Sequence, residues 1–159
     1  MFSLTKNLWG QDFVDLISAC FDCADVFSLS QNVWFNVEPE RSVHLLQRLS
    51  PYHLRDLETN HWFCYYTPED RPRKVHLFQI TPETRSIVLS AFKKLFFDDK
   101  AWEEPEDICF FRNNRLILGS VSHEQMCYLY DLDLWQLLRA KNFWECVPDE
   151  EAERIILPQ

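Results

Sequence analysis

Apolar positions along the chain change period several times, and each change marks a predicted element. In "QDFVDLISACFDCADVF", residues 11–27, Phe13, Leu16, Ile17, Cys20, Ala24 and Phe27 recur at spacings of three and four with aspartates between them. That period predicts an amphipathic helix. "NVWFNV" at 32–37 reads as a short strand. In "PERSVHLLQRL" and "SPYHLRDLE", which follow, Pro39 and Pro51 suit first helical turns and Ser50 suits a cap. Two short helices joined at Pro51 are predicted.

"HWFCYY" at 61–66 and "VHLFQI" at 75–80 are aromatic and branched runs of strand length on either side of the polar stretch "TPEDRPRK". The pattern predicts a hairpin, with Arg71, Arg73 and Lys74 in a solvated turn. Thr81 then caps a helix with Pro82 at its first position, and Ile87, Val88, Ala91, Phe92, Leu95 and Phe96 give it an apolar face through Phe97. "DICFFR" and "RLILGSV" flank Asn113 and Asn114, a pair tolerant of the left-handed geometry of a two-residue turn. Pairing outward from the turn sets Phe111 opposite Leu116, Phe110 opposite Ile117 and Ile108 opposite Gly119. "CYLY" at 127–130 returns as a third strand. Asp131 caps "LDLWQLLRAK", a last helix with Leu134, Leu137 and Leu138 facing inward, and "FWECV" closes the fold before an acidic tail at about 148–159. The sum is one α+β domain over residues 1–159, a mainly antiparallel sheet of about five or six strands packed against about three to five helices.

Composition agrees with a single aromatic-rich core: 159 residues, 47% hydrophobic, with thirteen Phe, six Trp and five Tyr. With only two glycines, Gly10 and Gly119, a glycine-rich phosphate loop is excluded. No apolar run approaches the roughly 20 residues of a membrane-spanning helix. Asp12, Asp15, Asp22 and Asp25 interrupt the early apolar segment, so a secretory signal is not expected and a cytoplasmic location is. The six cysteines then read as reduced, mostly buried thiols. Cys20 and Cys23 form a lone C-x-x-C within a helix, without the second paired element of a zinc site, and neither a metal nor a cofactor is expected.

Charge is placed unevenly. The window "DDKAWEEPED", residues 98–107, has six acids and one lysine, and "ECVPDEEAER", residues 145–154, has five acids and one arginine. Together they account for the whole net charge of −9. Nucleic-acid binding through a general positive field is disfavoured, whereas the charge allows steering toward a basic partner. Trp102 lies inside the first window and Trp144 just before the second, the composition of an aromatic anchor with a polar rim. Arg112 and Arg115 face each other across the Asn-Asn turn, where like charges are mildly destabilising unless an acid or anion sits between them, and one of the two windows is a candidate for that neighbour.

"GSVSHEQMC", residues 119–127, places a hydroxyl, an imidazole, a carboxylate and a thiol close together. If the strand continues through it, His123 points away from Ser122 and Glu124, and no catalytic triad forms. No catalytic residue is assigned. The segment "WEEPEDICFFRNNRLILGSVSHEQMCYLY", from Trp102 to Tyr130, resembles small bacterial immunity proteins of polymorphic-toxin and contact-dependent inhibition systems. There, an acidic stretch with a Pro-Glu-Asp-like turn precedes an aromatic strand, a tight turn and a strand ending near Ser-His-Glu. The resemblance implies a non-enzymatic module that binds and neutralises a toxin domain, often a basic nuclease. By position it implies a partner surface at Asp98, Asp99, Glu103, Glu104, Glu106 and Asp107, with Trp102 as anchor. Two alternatives stand beside it: a small metal-dependent hydrolase using His123 and Glu124, and a regulatory or scaffold domain whose acids serve solubility.

Overall fold

The computed structural model describes residues 1–31, 40–96, 106–148 and 156–158. In chain order the elements are β1 (Phe2–Leu4), α1 (Gly10–Cys23), β2 (Val26–Gln31), α2 (Glu40–Leu49), β3 (His53–Thr59), β4 (His61–Trp62), β5 (Tyr65–Tyr66), β6 (Arg73–Gln79), α3 (Pro82–Ala91), β7 (Glu106–Arg112), β8 (Arg115–Val121), β9 (Met126–Leu129), α4 (Leu132–Leu138) and β10 (Trp144–Cys146). The fold is α+β. Among the described residues, eight strands form one antiparallel sheet in the order β10-β1-β9-β8-β7-β2-β6-β3, more than the five or six expected, while β4 and β5 pair separately.

Strand alternation divides the core in two. On one face Phe27, Leu29, Phe78, Phe110, Leu118 and Leu129 meet the helices through Phe13, Leu16, Ile17 and Cys20 of α1, Leu45 and Leu49 of α2, Val88 of α3 and Leu134 and Leu138 of α4. On the other, Val75, Leu77, Cys109, Phe111, Leu116 and Val121 are covered by Trp62, Phe63 and Leu157. Gly119 is where the β4–β5 hairpin docks. A Cβ added there would lie 2.8 Å from the Phe63 ring, so the ring rests on bare backbone.

Several expectations change. The first helix stops at Cys23, and Phe27 belongs to β2, a strand the helical period concealed. The strand expected at 32–37 lies outside the described residues. α2 forms, but "SPYHLRDLE" is a single 3-10 turn followed by β3 rather than a helix. Its Leu54 and Leu57 carry a helical spacing, yet the open edge of β6 needs a hydrogen-bonding partner, and pairing overrides local preference. "HWFCYY" does not pair with "VHLFQI": it folds on itself as β4 and β5, while β6 lies between β2 and β3. α3 has the expected Thr81 cap but ends at Ala91. Phe92, Leu95 and Phe96 still enter the core, from non-helical chain that bonds Leu95 N–H to Leu8 O and exchanges two bonds between Asn7 and Phe96.

The Asn113–Asn114 turn forms with both residues at positive φ, 51° and 63°. Phe111 pairs with Leu116 as expected. One step further a bulge intervenes, so Phe110 faces Leu118, not Ile117, and Gly119 faces Cys109, not Ile108. β9 is the third strand, and Asp131 caps α4 by accepting from Leu134 N–H. Leu137 is solvent-exposed, unlike Leu134 and Leu138. No helix among the described residues is long and apolar enough to cross a membrane.

Candidate functional site

Asp98, Asp99, Trp102, Glu103 and Glu104 lie outside the described residues. Glu106 and Asp107, expected on the same partner-facing surface, instead point inward: they are 5% and 1% exposed. The cause is a bulge in β7 opposite Ser28 and Ser30 of β2, where Asp107 adopts a positive φ of 55°. Arg73 meets them from β6. Its Nη2 donates to Glu106 Oε1 at 3.1 Å, and its Nη1 donates to Asp107 Oδ2 and to Ser30 Oγ. Asp107 Oδ1 accepts the Ser122 N–H at 2.7 Å, tying the start of the turn after β8 to the same carboxylate.

Arg73 was expected in a solvated turn. It shares strand parity with Val75 and Leu77, which face the second half of the core, and parity was the signal available. Among the described residues, one guanidinium bridges the two carboxylates. Burial, and then the neighbouring Asp107 charge, push Glu106 up to about 7 against the pull of Arg73.

The turn Ser122–Gln125 departs from the alternation expected of a continuing strand. Ser122 is buried, whereas His123 and Glu124 are exposed and lie 3.7 Å apart, Nε2 to Oε1. His123 therefore turns toward Glu124, not away from it. The separation of Ser122 from His123 stands, for a different reason: one side chain enters the core and the other stays outside. Glu106, Asp107 and His123 offer three ligand atoms within 4.8 Å of one another. The cation position between the two carboxylates is held by the Arg73 fork.

Arg112 and Arg115 do pair across the turn. Among the described residues, the acids that reach Arg112 are Asp131, in direct contact, and Asp133 at 3.5 Å, both at the start of α4; most of the two charged windows lies outside the described residues. Cys20 and Cys23 are on α1, the first fully buried and the second half-buried. Burial raises both thiols. No cysteine belongs to a three-ligand group among the described residues.

A second polar cluster lies at the β3 edge of the sheet. His76 on β6 stands directly opposite Asp56 on β3, and His53 stands opposite Phe78. Positions 53 and 56 of a regular strand face opposite sides. Here the step from His53 to Arg55 on β3 spans a single residue step on β6, a bulge that returns His53 to the face of Asp56. His53 Nε2 and His76 Nδ1 each lie 2.7 Å from the same atom, Asp56 Oδ1. Lys74 Nζ is 3.0 Å from Asp56 Oδ2, and Gln31 Oε1 is 3.1 Å from His76 Nε2.

Burial acts to raise the Asp56 carboxyl, but contacts from Lys74, His53 and His76 outweigh it and hold it at about 2. For His76, burial dominates and lowers the imidazole below its usual range, opposed by Asp56. A helix predicted over 50–58 hides the register that joins these histidines. No protein-family model matches the chain, and neither a curated protein nor a solved structure is similar to it.

Proposed function

We propose that the chain is a non-enzymatic protein-binding module, an immunity protein that binds and neutralises a basic toxin domain through an acidic surface. The observation that carries this reading is the confinement of the whole net charge to two short windows, each beside a tryptophan. Inward placement of Glu106 and Asp107 narrows the first window to Asp98, Asp99, Glu103 and Glu104 against Lys100, with Trp102 as the aromatic anchor. The second window begins at Glu145 on β10, an exposed residue at one edge of the sheet. Such a module needs no catalytic group. It gains association rate from its charge and specificity from complementary placement.

The test is co-expression with the polypeptide encoded beside this chain's gene. Growth arrest by that neighbour, relieved by the chain and accompanied by a purified complex, is the expected result. Reversing Asp98, Asp99, Glu103 and Glu104 to lysine should then abolish rescue and weaken the complex. A harmless neighbour, or a charge-reversed variant that binds as tightly as the parent, overturns the proposal.

A further inference from the structure

We propose that His53, Asp56 and His76 form a binding site for a divalent first-row transition ion, with an open coordination position toward solvent. Two imidazoles and one carboxylate are the donor set that zinc and non-haem iron sites use when some positions remain for water or substrate. The three ligand atoms lie within 4.8 Å of one another, and all come from paired strands rather than from a loop. Both nitrogens are 2.7 Å from Asp56 Oδ1. An ion about 2.1 Å from each ligand needs these nitrogen–oxygen spacings to widen by ~0.3 Å for right-angled coordination and by ~0.7 Å for tetrahedral coordination.

The surrounding groups fit the ion. Lys74 holds Oδ2, which leaves Oδ1 as the single ligating oxygen of Asp56. Gln31 Oε1 faces His76 Nε2, so Nε2–H donates to it and Nδ1 presents its lone pair; a ligating histidine is commonly oriented by just such a carbonyl. Without an ion, acceptor oxygens face both ring nitrogens of His76, although a neutral imidazole carries only one N–H. A cation on the Nδ1 side replaces the missing proton and satisfies both oxygens. His53 and Asp56 have side chains about one-third exposed, at 36% and 34%, and this open side leaves room for water on the ion.

The site belongs to the helix-covered face at the β3 edge. It is separate from the Arg73 fork, whose residues point to the opposite side of β6, and it does not depend on the proposed toxin surface.

Untagged protein carrying Cys64→Ser and Cys146→Ser, which removes the exposed thiols, is titrated with Co2+ and followed by visible absorbance. Saturation at one equivalent is expected, with d–d bands and no thiolate charge-transfer band. Zn2+ should displace the Co2+. Affinity should fall as pH drops, because both imidazoles must shed protons to bind. His53→Ala and Asp56→Asn should abolish the bands. Gln31→Ala should weaken binding by roughly 10- to 100-fold, as other orienting partners do. His53 is exposed, so its variant keeps the test informative should His76→Gln fail to fold. No stoichiometric binding would mean that the Gln31 amide turns its nitrogen to His76 and the cluster is only a hydrogen-bond network, which overturns the proposal. Unchanged binding by His53→Ala overturns it equally.

Discussion

Replacing Arg73 with methionine should expose how much the buried fork contributes. Arg73, Glu106 and Asp107 have side chains at most 6% exposed, so removing the guanidinium leaves two buried carboxylates without the cation that bridges them. Breaking a buried ion pair on one side costs about 3–5 kcal/mol, because the orphaned charge, rather than the lost attraction, dominates. The penalty must depend on pH. Glu106 titrates near 7 in the fold against an ordinary value of 4.5. Between those values the native state holds a proton that the unfolded chain has released, so the contribution of Glu106 is full below 4.5 and is lost as pH rises through 7. In Arg73→Met the same carboxyl holds its proton to still higher pH. The deficit relative to the parent should therefore shrink on acidification, by up to ~1.4 kcal/mol per pH unit wherever the variant binds one proton more.

Guanidinium unfolding followed by tryptophan fluorescence, at about pH 8 and about pH 5, measures both effects. Glu106→Gln is the companion: it keeps an acceptor for Arg73 without the second buried charge, and should equal or exceed the parent at the higher pH. Arg73→Lys, which retains charge but not the fork, should fall between. An Arg73→Met deficit below about 1 kcal/mol, or one that stays constant across pH, would refute the account of this cluster as a buried ionic triad.

Gly119→Ala should cost about 1–3 kcal/mol, because its Cβ would meet the buried Phe63 ring at 2.8 Å; an unchanged Tm would show that the hairpin yields freely. At the left-handed turn position Asn114, valine should cost about 1–2 kcal/mol while glycine stays within ~0.5, as read from denaturation midpoints, and equal effects would deny that positive φ matters there. Thiol labelling of the native protein should reach Cys64 and Cys146 quickly and leave Cys20, Cys109 and Cys127 unmodified until denaturant is added. The cause is burial, which also pushes Cys109 up to about 12, and rapid native labelling of any of the three would contradict the packing.

Elements whose cues are local were legible in the chain: the body of α1, the Thr81 cap of α3, the Asn113–Asn114 turn and the Asp131 cap of α4. Each depends on side chains within a few residues, through periodicity, hydroxyl or carboxylate capping, or tolerance of positive φ. The α+β class followed from them. What tertiary structure alone decided is pairing. Whether "HLRDLE" is helix or strand depended on the open edge of β6, and the bulges at β3, β7 and β8 shift register without a compositional mark.

Those shifts also decided the chemistry. One bulge carries Glu106 and Asp107 off the predicted acidic surface and under Arg73; another brings His53 round to Asp56 and His76. Sequence listed the ionisable groups, but strand period is two, so a single extra residue reverses which face each one occupies. Burial and partnership of a charge are set by that face, and only the assembled sheet specifies it.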